Sequence, residues 1–101
     1  MALLDDIKTA LRISPTNTAF DSEIEDLIDA AKADLGLSGV DPAKVTPDTD
    51  ALIKRAVTTY VKAHFGWENN DYERLERAYG MLKGHLSLAS DYRMKPEEGS
   101  P

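Results

Sequence analysis

The segment FDSEIEDLIDAAKADLG, residues 20–36, holds six carboxylates and one lysine. Closely spaced carboxylates are the raw material of acid–base catalysis, provided a cleft shifts their pKa values. The spacing here argues for an open surface instead. Phe20, Ile24, Leu27, Ile28, Ala31 and Leu35 recur at helical intervals. At 3.6 residues per turn, Glu25, Asp26 and Asp29 fall opposite that stripe, toward solvent, where pKa shifts are small. Glu25 and Asp29 stand four apart, so the face repels itself at a cost of roughly a few tenths of a kcal/mol.

Other reactive side chains lack a constellation. His64 falls within an apolar helical arc and reads as a half-buried histidine with its nitrogens satisfied; a metal site there would need carboxylate help that the spacing does not advertise. His85 lies on a helix flank and reads as solvated. Ser14, Ser22, Ser38, Ser87 and Ser90 have no nucleophile-elbow context, and no glycine loop is shaped to cradle phosphate. No catalytic residue, metal or cofactor is expected. Tyr60, Phe65, Trp67 and Tyr72 gather around one turn, where base stacking would need interleaved basic residues. Glu68 and Asp71 stand there instead. A hydrophobic plug between two helices is the favoured role, with a partner hot spot at Trp67 as the sharper alternative.

Four helices must position these groups. Leu4, Ile7 and Leu11 mark a first, which ends before Ser14-Pro15 because a residue preceding proline avoids the α region. The acidic second helix has Asn17 or Thr18 as candidate caps and Gly36 as its left-handed closing residue. Residues 37–49, LSGVDPAKVTPDT, read as a long loop, either mobile or reaching a partner. A third helix starts near Thr49 or Asp50 and runs to Phe65. Its apolar arc is wide enough for the central, most buried element, and Lys54, Arg55 and Lys62 occupy the rest of its circumference. Asn69 or Asn70 can cap a fourth helix, whose Tyr72, Leu75, Tyr79, Leu82, Leu86 and Ala89 form a seam at coiled-coil spacing. With no competing strand pattern, the fold class is all-α: a small bundle in one domain over 1–93, with a disordered tail expected over 94–101.

Away from its seam the fourth helix carries Gly80 and Gly84 beside Met81 and Leu88, with Arg77 nearby. Each glycine inside a helix costs roughly 1 kcal/mol against alanine. Two of them on an apolar outer face favour close approach by another backbone over neutral drift. The membrane dimer motif of the same spacing is excluded by the polar context.

The chain has 101 residues, no cysteine and a net charge of −6. Residues 1–50 carry −7 and residues 51–101 carry +1. A duplex-gripping protein shows a clustered basic stripe, which is absent. The asymmetry fits either a solvated acidic face or head-to-tail pairing of copies. The start MALLDDIKTALRI lacks an export signal, and no apolar run is long enough to span a membrane, so synthesis in the cytoplasm with no membrane partner is expected.

The segments LLDDIKTALRI, DSEIEDLIDAAKADL, AVTTYVKAHFGWEN and YGMLKGHLSLASDYR, in this order, resemble the small head–tail connector proteins of tailed bacteriophages, also described as DNA-packaging or head-completion adaptors. The resemblance covers residues 3–93 and rests on the joint pattern. It implies a helical bundle, without catalysis or cofactor, that assembles into a homo-oligomeric ring of about a dozen copies in the virion neck. That ring would dock under the portal protein, receive the next head-completion or tail protein, and let DNA pass without specific binding. On this reading Glu25, Asp26 and Asp29 line the channel, or pair with Lys54, Arg55 or Lys62 of a neighbour. Arg77, Gly80, Met81, Gly84 and Leu88 supply a subunit seam. A second reading from another class is a small acidic helical module regulating a basic partner protein, separable by one-to-one stoichiometry. A third, a helical DNA binder, would bind duplex tightly and salt-sensitively.

Overall fold

The computed structural model describes residues 3–45, 50–65, 71–89 and 92. Five helices follow in order: α1 (Leu3–Ala10), α2 (Asp21–Leu37), α3 (Pro42–Val45), α4 (Ala51–His64) and α5 (Tyr72–Leu88). No strand occurs among the described residues, and the all-α bundle inferred from periodicity is the fold.

α1 buries Leu3 and Ile7 and stops where Arg12 enters the left-handed region at φ 62°. The Ile13 N–H, bonded to the Lys8 carbonyl at 2.8 Å, closes that end. The chain ahead of α2 is turned by side chains, but neither expected cap serves the helix. Asn17 Oδ1 accepts the Ala19 N–H at 3.0 Å within the preceding turn, and Phe20 occupies the cap position without a side-chain bond. An Asn that closes its own local turn is no longer available to the helix start.

Ile24, Ile28, Ala31 and Leu35 are the buried stripe of α2. Gly36 does not close the helix. Gly39, at φ 98°, is the left-handed residue, and the Val40 N–H bonds back to the Leu35 carbonyl at 3.1 Å. This six-residue closure satisfies an end carbonyl that a stop at Gly36 would have served earlier. The expected long loop is likewise shortened by α3. Pro42 has its φ pre-set for a first helical position, Asp41 Oδ1 accepts the Ala43 N–H at 3.0 Å, and Val40 and Val45 sink into the core.

Asp50 starts α4 by accepting the N–H groups of Leu52 at 2.9 Å and Ile53 at 3.1 Å. Asp50 is one of the two positions at which the sequence started this helix, and such a cap typically stabilises by about 1 kcal/mol. Ile53, Ala56, Val57, Val61 and Ala63 bury the inner arc of α4, which packs on both α2 and α5 as the central element. α5 contributes Leu75, Tyr79 and Leu86, with Leu82 partly buried. The ends of its expected seam, Tyr72 and Ala89, are exposed. Tyr92 is pinned near α3 and α4: its carbonyl accepts the Asp41 N–H at 2.7 Å, and its hydroxyl donates to Asp50 Oδ2 at 2.9 Å. Trp67, the candidate caps Asn69 and Asn70, and the 94–101 tail lie outside the described residues.

Candidate subunit-contact and channel surfaces

α2 sorts its carboxylates by position around the helix. Glu25, Asp26 and Asp29 are exposed, as their phase requires, and none has an ion-pair partner among the described residues. Those on the flanks are engaged. Lys8 Nζ lies 2.8 Å from Asp21 Oδ1 and also donates to the Pro15 carbonyl at 3.3 Å. Lys8 is only 2% exposed, so this ammonium is a buried pin between α1 and α2. The contacted Asp21 oxygen is itself buried and receives charge without a directed hydrogen bond.

At the other end Asp34 Oδ2 accepts the Tyr79 hydroxyl at 2.6 Å and Lys83 Nζ at 3.0 Å. Burial pushes the Asp34 carboxyl up, but these two hydrogen bonds and the Lys83 charge outweigh it and hold the group below its ordinary value. Burial first, then the bond to Asp34, raise the Tyr79 hydroxyl far above the usual phenol range. Tyr60, 5.1 Å from Tyr79 ring to ring, is raised by burial and by the Asp34 charge.

Sequence reasoning missed this clasp of Asp34, Tyr79 and Lys83. Its one local signal is the i,i+4 spacing of Tyr79 and Lys83 on one side of α5; nothing local joins them to a carboxylate 45 residues away.

The outer arc of α4 carries the opposite charge. Arg55 and Lys62 are exposed, with Leu52 beside them at 48% exposure. Lys54 differs from the expectation of a cation offered to a neighbour: its Nζ sits 2.8 Å from Asp6 Oδ2 of α1 in the same chain. Next to this arc, a shallow groove of about 220 Å³ runs between α4 and α5, lined by Arg55, Thr59, Ala78, Met81, Leu82 and His85. Arg77, Gly80, Met81 and Leu88 are exposed on α5, with Gly84 half-buried. A Cβ at Gly80 or Gly84 would meet nothing within 4 Å. The chain's own packing therefore does not require either glycine.

The aromatic plug joins α2 and α5 to α4. Phe65 meets Phe20 edge-on at 5.5 Å, and Tyr60 and Tyr72 flank His64 at 4.3 and 5.5 Å. His64 Nε2 lies 2.8 Å from Glu76 Oε1 of α5, the satisfied, half-buried histidine its phase indicated. His85 is exposed, also as expected. Among the described residues no cluster of His, Asp and Glu is arranged to hold a metal ion, and no helix is long and apolar enough to cross a membrane.

What these features describe is a small helical packing unit with an acidic and a basic outer surface. A family model described as phage connector protein matches residues 3–93, almost the whole described chain, and the chain belongs to that family. It is a phage connector, with a role in joining virion proteins. No curated protein and no solved structure matches it.

Proposed function

We propose that the chain is a head–tail connector that forms a ring of about a dozen copies beneath the portal, extends the DNA channel and completes the head after genome packaging. The observation that carries this reading is the outward acidic face of α2 on a chain of the connector family: three carboxylates exposed without counter-ions among the described residues. A conduit that bound phosphate would hold DNA, whereas a negative one lets it pass. At −6 per chain, a dozen copies carry roughly −70 formal charges, a substantial field in a narrow lumen. Two roles suit Glu25, Asp26 and Asp29, as wall of the channel or as contact with the next copy.

The glycine-bearing face of α5, around Gly80, Met81, Gly84 and Leu88, supports a seam with a neighbouring protein of the virion neck, either another copy or the next head-completion or tail protein. The ring reading is tested by negative-stain microscopy and native mass spectrometry of the chain with purified portal. Closed rings seated on the portal are expected. A strictly one-to-one complex would overturn the reading in favour of a small regulatory module.

A further inference from the structure

We infer that the two charged faces are halves of one contact: Glu25, Asp26 and Asp29 on α2 of one copy dock against Arg55 and Lys62 on α4 of the next. This rests on the ring reading and assigns its subunit interface. α2 and α4 pack together through their buried stripes, Ile24, Ile28, Ala31 and Leu35 facing Ile53, Ala56, Val57 and Val61. The arcs opposite those stripes therefore point away from each other, on opposite sides of the molecule. The acidic arc cannot reach the basic arc of its own chain. A two-fold dimer through either arc would set like charge against like. Only a head-to-tail arrangement brings opposite charges together, and such a contact repeats until the rotation closes it into a ring.

Both faces also carry apolar surface suited to burial. On the acidic side, a hollow of about 430 Å³ between Asp29 and Lys32 is floored by Ala33, Gly36, Pro42 and Val45. On the basic side, Leu52 and Met81 stand 48% and 65% exposed next to Arg55. Arg55 can fork across a carboxylate with two parallel hydrogen bonds, which fixes orientation as well as charge. Lys54 is held by Asp6 and lies at the margin of this contact.

Three variants assembled on purified portal test the pairing: E25K/D26K/D29K, R55E/K62E, and one chain carrying all five changes. Each partial reversal should lower the ring fraction at least about tenfold, since like charges then face each other. The five-fold variant, its charges exchanged, should restore rings. All changed positions are exposed, and thermal melts of each variant check that the fold is kept.

Rings that persist in either partial variant overturn the pairing. So does a five-fold variant that stays unassembled although folded. Loss confined to the α2 variant returns those acids to the channel wall. Tight duplex-DNA binding by the wild type, abolished by R55E/K62E, would assign that face to phosphate instead. In all these outcomes wild-type rings still form; their absence would instead remove the ring reading and this contact with it.

Discussion

The ends and the middle of α2 treat the same chemical group in different ways. Asp21 and Asp34 lie on the flanks of the buried stripe and are met by cations from other helices, Lys8 at 2.8 Å and Lys83 at 3.0 Å. Glu25, Asp26 and Asp29 lie opposite the stripe and are exposed. The difference lies in angular position around one helix, and it separates carboxylates that hold the chain together from those available to another molecule. A flank carboxylate approaches the neighbouring element and gains a counter-ion in partly dry surroundings. An outward one gains only water, and exposed pairs are worth little in any case.

This contrast can be broken or sharpened in order of effect. Ile24→Ala, on the fully buried inner face, should cost about 3 kcal/mol in urea unfolding. A loss under about 1 kcal/mol would mean that the inner stripe is not the core. Lys8→Met keeps an apolar stem but strips Asp21 of its cation. Because Asp21 retains 25% side-chain exposure, the loss should be about 1–2 kcal/mol, short of a fully buried pair.

Tyr79→Phe removes one hydrogen bond to Asp34 and should cost about 1 kcal/mol at neutral pH. It should also change the acid limb of stability. The Asp34 carboxyl is lowered in the fold, so its contribution is present above its unfolded value of 3.8 and is lost as pH falls through the lower folded value. Without the Tyr79 hydroxyl that lowering shrinks, and stability should fall less steeply with acid below about pH 4. An unchanged acid limb in pH-dependent melts would show that Asp34 does not depend on Tyr79.

Gly80→Ala and Gly84→Ala have open space for the new methyl group, so each should stabilise the isolated chain by about 0.5–1 kcal/mol. If the face is a seam, the same changes weaken assembly while the melting temperature rises. Last, E25K/D26K/D29K should shift the stability of the isolated chain by no more than about 0.5 kcal/mol. A large loss would place those acids in the fold itself, and the contrast within α2 would be gone.

Much of this was legible in the residues. The stripe of α2, the wide arc of α4 and its start near Asp50, the satisfied His64 and the outward phase of Glu25, Asp26 and Asp29 all follow from a 3.6-residue period. So did the family, from the order of four segments within residues 3–93. The misses have local causes too. Asn17 served its own turn instead of the helix, and one turn of helix beginning at Pro42 shortened the supposed loop.

Tertiary structure alone decided which charges are engaged within the chain. The pairs Lys54 with Asp6, Lys8 with Asp21, and Tyr79 and Lys83 with Asp34 depend on how far each helix is turned toward its neighbour and where along its length they cross. Periodicity fixes the direction of a side chain relative to its own helix axis. It carries no information on what another helix, tens of residues away, presents at the same point. Packing supplies that, and here packing left the acidic arc of α2 and the basic residues Arg55 and Lys62 of α4 exposed on the same small unit.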